Sequence, residues 1–115
     1  MILPWEAELL RVYVGESDMS DGMPLYERIV YEARQRGMAG ATVLRGCMGF
    51  GASSRVRPNG DTLSNDTPIV IEIVDKPERI RALMVELQQM LKGGLLTLQT
   101  VRVVTYRPEQ EPSLG

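Results

Sequence analysis

The sequence contains no histidine, one cysteine, one phenylalanine and one tryptophan in 115 residues. Without histidine there is no Ser-His-Asp triad, no Cys-His pair and no imidazole ligand for a metal. The side chain that titrates most readily near neutral pH is also missing. A lone cysteine, Cys47, excludes an internal disulfide and a CxxC site, so nothing in the chain requires an oxidising compartment. The scarcity of aromatics argues against an RNA-binding sheet, which stacks bases on paired rings. Long apolar runs are absent too, and none approaches the ~20 residues of a membrane helix. Residues 1–5 lack the basic-then-apolar pattern of a signal peptide. The expectation is a cytoplasmic protein that does not insert into a membrane.

Thirteen Lys+Arg against 15 Asp+Glu leave a net charge of −2, which argues against nucleic acid as a partner. Eleven of the 13 cations are arginine, and only Lys76 and Lys92 are lysine. Arginine offers a planar fork for phosphate and carboxylate, although a compositional bias produces the same count. The length fits one domain over residues 1–115, with a core of about 8–106 and frayed ends.

Leu9 to Gly15 alternates in the period of a strand, and Gly15-Glu16-Ser17-Asp18 breaks it. Pro24 to Gly37 reads as a helix with Leu25, Ile29 and Ala33 on one face and Gly37 as its stop. Thr42-Val43-Leu44 favours a second strand, in which Gly46 marks a bulge or a close approach of another backbone. Cys47 is expected to be a buried small hydrophobe of that strand. The Ala52–Asp66 stretch is a long polar loop, of a kind usually functional or disordered.

Pro68 to Asp75 is the strongest strand, apolar on both faces. Lys76 to Leu91 reads as a second helix with Asp75 as N-cap and an apolar stripe from Ile80 to Leu91; Gly93-Gly94 stops it. Leu98 to Tyr106 is the last strand. The order strand, helix, strand, strand, helix, strand is that of an α+β, ferredoxin-like sandwich with a four-stranded antiparallel sheet. Two helices cover one sheet face; the other needs copies of the chain to cover it.

No catalytic set is evident. Glu16, Asp18, Asp61 and Asp66 read as solvated loop carboxylates without a partner, and Ser53 and Ser54 have no histidine base. The expectation is a protein that is not an enzyme. Gly46, Gly49 and Gly51 surround the end of one strand, and Gly93 and Gly94 follow Lys92. Glycine lets backbone N–H groups point at an anion, and Arg45, Arg55, Arg57 and Lys92 stand close enough in sequence to add charge. The same glycines also suit plain turns, and neither a Walker loop nor a dinucleotide fingerprint is present.

The segments LLRVYVGESD, PLYERIVYEARQRGMAGATVLRGCMGFGASSR, TPIVIEIVD and KGGLLTLQTV resemble the domain of unknown function one-ninety family, relatives of the PII signalling proteins. That resemblance spans about Leu9 to Val104. It implies a trimer-forming, PII-like subunit that binds an adenine nucleotide (AMP, ADP, ATP or cyclic AMP, with or without Mg) in clefts between subunits. The nucleotide would be an effector, no cofactor being obligatory. The loop at 52–66 would relay binding to a membrane transporter, channel or enzyme.

By that resemblance Thr42 faces the adenine; Gly49, Phe50 and Gly51 line the site at the loop base; and Ser53, Ser54 and Arg55 reach phosphates. Lys92, Gly93 and Gly94 stand for the phosphate loop, and Arg102 for a cation on the last strand. The sequence departs from PII proteins by one extra residue between Thr42 and Gly49, a shorter glycine segment after the second helix, and no loop tyrosine. Arg57-Pro58-Asn59-Gly60 replaces the His-Thr pair of nearer relatives. The alternatives are a CutA-like trimeric ion-binding protein and a slow nucleotide hydrolase working in the same clefts.

Overall fold

A computed structural model describes residues 2–50 and 66–108. In chain order the elements are β1 (Glu6–Gly15), β2 (Met19–Ser20), β3 (Met23–Pro24), α1 (Leu25–Gln35), β4 (Thr42–Arg45), β5 (Pro68–Asp75), α2 (Pro77–Met90) and β6 (Leu95–Arg102). The main sheet runs β4-β5-β1-β6, every neighbour antiparallel. This is the α+β ferredoxin-like arrangement expected from the element order.

The pleat assigns the faces. On β5, Ile69, Ile71 and Ile73 are buried, and across β1 they meet Val14, Val12 and Leu10. Onto this layer α1 lowers Leu25, Ile29 and Ala33, and α2 lowers Ile80, Leu83 and Leu87. Both helices are amphipathic at the spacing of three and four that their sequences display.

Asp75 closes this layer at one end. It lies one position before the N-cap, which is Lys76, so the expected capping role is displaced by a residue. Its carboxylate is fully buried and still works for the helix start, accepting from Lys76 N–H at 2.7 Å. It also accepts from Ala39 N–H at 2.9 Å and lies 3.2 Å from Arg79 Nε. Arg79 in turn donates through Nη2 to the carbonyls of Arg36 and Gly37, so the exit of α1 and the entry of α2 are tied together.

The opposite face has no helix. Register places Thr42, Leu44, Val70, Glu72, Val74, Leu9, Arg11, Tyr13, Leu95, Thr97 and Gln99 there. Tyr13, Leu44 and Leu95 are exposed on it. Its centre is not apolar: Arg11 Nε donates to Glu72 Oε2 at 2.8 Å, and Arg11 Nη1 donates to Gln99 Oε1 at 3.1 Å.

Several boundaries differ from expectation. β1 begins three residues early because Ala7 and Glu8 are buried and paired, with Glu8 held by Arg81 at 3.0 Å. After the break at Gly15–Asp18, Met19–Ser20 and Met23–Pro24 form a small hairpin that the sequence reading does not include, turning on Asp21 (φ 48°) and Gly22 (φ 81°). Pro24 stands before α1 as its N-cap residue rather than inside the first turn. β6 begins at Leu95 and ends at Arg102, earlier than expected at both ends. Cys47 is exposed and lies outside the strand, which ends at Arg45. The chain there turns at Gly46, whose N–H donates to Pro68 C=O at 2.7 Å, so Cys47 leaves the sheet.

Candidate functional site

The turn after β1 gathers the polar groups. Glu16 N–H donates to Thr67 C=O at 2.9 Å, Ser17 N–H donates to Asp66 Oδ1 at 2.8 Å, and Gly15 N–H donates to Asp18 Oδ2 at 2.9 Å. Glu16 accepts a hydrogen bond and ion pair from Arg45 at the end of β4. The Arg45 guanidinium holds the Glu16 carboxyl below its ordinary range, and Thr67 adds to this. Glu16 reciprocally raises Arg45, with Tyr26 acting in the same direction. These acids were expected to be solvated and unpartnered; Glu16, Asp18 and Asp66 each have a partner. The 29-residue separation of Glu16 from Arg45 hides the pairing from any local pattern.

Two glycine positions are dictated by contact. A Cβ on Gly46 would stand 2.8 Å from Pro68 Cγ, so β4 leaves the sheet by passing close over β5, the close approach expected there. Gly94 has φ +105°, and a Cβ there would stand 2.6 Å from Tyr13 C=O. The Lys92–Gly94 connection is thus pressed onto the end of β1. Beside it a cavity of about 380 Å³ is lined by Ser17, Asp18, Met19, Leu25, Met90, Lys92 and Gly93.

The structure brings some expected site residues to one end of the sheet. Gly49 lies beside Pro68, and Phe50 is fully extended into solvent at 90% exposure. Lys92, Gly93 and Gly94 lie at the same end, by Tyr13. The two groups border neighbouring strands, Gly49 by Pro68 at the start of β5 and Gly94 by Tyr13 near the end of β1. Thr42 sits farther in, opposite Glu72 on the helix-free face. Arg102 is at the other end, opposite Glu6. Eight residues of β1 separate that level from Gly94, roughly 27 Å. Within one subunit Arg102 and Lys92 therefore do not meet. Gly51, Ser53, Ser54 and Arg55 lie outside the described residues, as does nearly all of the Ala52–Asp66 loop. A larger cavity, about 670 Å³, opens at the Arg102 end between Ile2, Leu3 and Trp5 and the Val103–Pro108 segment; of the expected site residues it adjoins Arg102 alone.

The model of the DUF190 family, described as "Uncharacterized ACR", matches residues 7–103. The chain belongs to the DUF190 family. A UPF0166 protein of Aquifex aeolicus is 34% identical over 98 residues, covering 84% of this chain and 92% of that one. A UPF0166 protein of Methanocaldococcus jannaschii is 30% identical over 95 residues, covering 83% and 88%.

Among solved structures, CPII of Thiomonas intermedia, bound to ADP, AMP and acetate, superposes with a TM-score of 0.65. It is 16% identical and is matched over 88% of this chain and 91% of its own. A putative PII-like signaling protein of Thermus thermophilus gives 0.60 at 18% identity, over 86% and 90%. CutA1 of Ehrlichia chaffeensis gives 0.54 at 10%, over 88% and 84%. At these identities the likeness is one of fold: the DUF190 chain has a PII-like subunit fold. Among the described residues no helix is long and apolar enough to cross a membrane, and no group of three or more His, Cys, Asp or Glu is placed to hold a metal.

Proposed function

We propose that this DUF190 protein is a PII-like regulatory protein, a homotrimer that binds an adenine nucleotide in the clefts between its subunits. The observation that carries this reading is the division of the candidate residues. Lys92–Gly94 and Gly49 share one end of the sheet, while Arg102 lies roughly 27 Å away along β1. One phosphate group does not span that distance, so a site using both Lys92 and Arg102 takes them from neighbouring copies. The helix-free face supports association: Tyr13, Leu44 and Leu95 are exposed around the Arg11–Glu72 pair, and burying such a face favours a closed oligomer. The fold shared with CPII, itself bound to ADP and AMP, supports the nucleotide.

In this reading the backbone N–H groups at Gly93 and Gly94 hold phosphate oxygens, and Lys92 and a neighbour's Arg102 balance their charge. Binding biases the segment that follows Phe50, which addresses a transporter, channel or enzyme. Such signalling needs the nucleotide to prefer one conformation over another. The protein carries out no chemistry on the nucleotide, and it works in the cytoplasm.

Calorimetry with AMP, ADP, ATP and cyclic AMP, with and without Mg, tests the proposal. Saturable binding of at least one, with one ligand per chain, is the expected result. Absence of binding by all four at millimolar concentration removes the nucleotide reading. Phosphate release in the same samples would favour the hydrolase instead. Metal retained through dialysis would favour the CutA-like ion binder.

A further inference from the structure

Arg45 is the one cation among the described residues that stands directly between β4 and the turn after β1. It is 56% exposed by its side chain, on the same end of the sheet as Gly46 and Gly49. A planar guanidinium so placed is suited to an anion. In the free subunit it already has one, the carboxylate of Glu16. Glu16 is anchored independently of that contact, because its own N–H is fixed to Thr67 C=O and the next N–H to Asp66. The carboxylate can therefore swing off Arg45 while the turn stays in place.

The acids around it favour release once Arg45 is taken. Burial opposes the ionised form of Glu16, as does Asp66, which is bound to the same turn, while Arg45 and Thr67 sustain it. Asp18 is occupied by Gly15 N–H, and Tyr26 approaches Arg45 from α1.

We propose that Arg45 is an anion-binding residue held in reserve, with the Glu16 carboxylate occupying the position that a ligand's phosphate or carboxylate takes, so that ligand and Glu16 compete for one guanidinium. The proposal deepens the nucleotide reading above and rests on it for the identity of the ligand, but not for the competition. Affinity at this site is then set partly by an internal competitor, and a change at the loop base accompanies binding because β4 and the β1 turn lose their ionic tie.

The test titrates ADP and, separately, inorganic pyrophosphate into the wild-type protein, Glu16→Gln, Arg45→Gln and the double variant. Glutamine keeps the length of Glu16 and leaves its backbone bond to Thr67 intact, and thermal melting confirms that each variant folds. Removing the competitor tightens binding by about two- to fivefold, the worth of a partly exposed ion pair. Arg45→Gln weakens it by about ten- to a hundredfold, the loss of a charge-assisted hydrogen bond. In the Arg45→Gln background the Glu16 change has no further effect. ADP binding that is equal in wild type and Glu16→Gln overturns the competition and leaves the nucleotide reading in place. Pyrophosphate binding that tightens in Glu16→Gln, with no ADP binding to any form, upholds the competition and overturns the nucleotide. Tightening that persists without Arg45 overturns the assignment of Arg45. Failure of both probes with wild type and Glu16→Gln overturns both readings.

Discussion

Replacing Asp75 with asparagine separates the carboxylate's charge from its shape. The two oxygens now accept from Ala39 N–H at 2.9 Å and Lys76 N–H at 2.7 Å, in a site with no solvent access. An asparagine amide has one oxygen and one NH2. It satisfies one of those N–H groups and turns a donor towards the other. A buried donor left unpaired costs about 1–3 kcal/mol. The ion pair to Arg79 also goes, but Arg79 is 34% exposed, so that contributes under about 1 kcal/mol. The sum is about 1–4 kcal/mol, a large share of the stability of a domain this size. In thermal unfolding at one fixed protein concentration this lowers Tm by roughly 10 °C. Glu78→Gln, exposed in the first turn of the same helix, serves as the comparison and changes stability by no more than about 0.5 kcal/mol. An Asp75→Asn protein within about 0.5 kcal/mol of wild type would refute the view that this carboxylate joins the end of α1 to the start of α2.

Two further outcomes follow from contacts already described. Gly94→Ala places a methyl carbon against Tyr13 C=O and forces φ +105° on a residue with a side chain, so the Lys92–Gly94 connection must move; a loss of about 1–3 kcal/mol in urea unfolding, together with weakened ADP binding, is expected, and unchanged values for both would refute it. The lowered pKa of Glu16 gives stability that is fully present above the ordinary value of 4.5 and lost as pH falls through the lowered folded value. The difference in Tm between wild type and Glu16→Gln is therefore steady from about pH 7 to 5 and vanishes in stronger acid; a difference that grows as the pH falls would contradict the pairing.

The sheet was legible where the pleat and the periodicity agree. Ile69, Ile71 and Ile73 stand at every second position, and all three are in the core. The helix stripes were equally plain, because Ile80, Leu83 and Leu87 need only the helical spacing. Polar residues with buried roles were not. Asp75 reads only as a helix cap and Glu8 gives no signal until the fold brings Ala39 and Arg81 to them. The β2–β3 hairpin carried a signal in Asp21-Gly22, a pair suited to positive φ, but two-residue strands have no period to detect. Cys47 was misplaced because a strand-like sequence continues past Arg45, whereas the Gly46 bond to Pro68 ends the pairing. The site was legible as residue types and not as distances. Glycines and cations marked the sheet end at Lys92–Gly94, while the separation of Arg102 and the Glu16–Arg45 pair depend on contacts far apart in sequence.

The claim that matters most is that the nucleotide site is assembled from two copies. Mixing subunits tests it directly. Arg102→Ala and Lys92→Ala chains are each titrated with ADP, then unfolded together in equal amounts, refolded so that the copies mix and titrated again. Each variant alone binds weakly, and the mixture regains wild-type affinity in roughly one site in four, those where an intact Lys92 meets a neighbour's intact Arg102. A mixture that binds no better than its separate components would contradict the account.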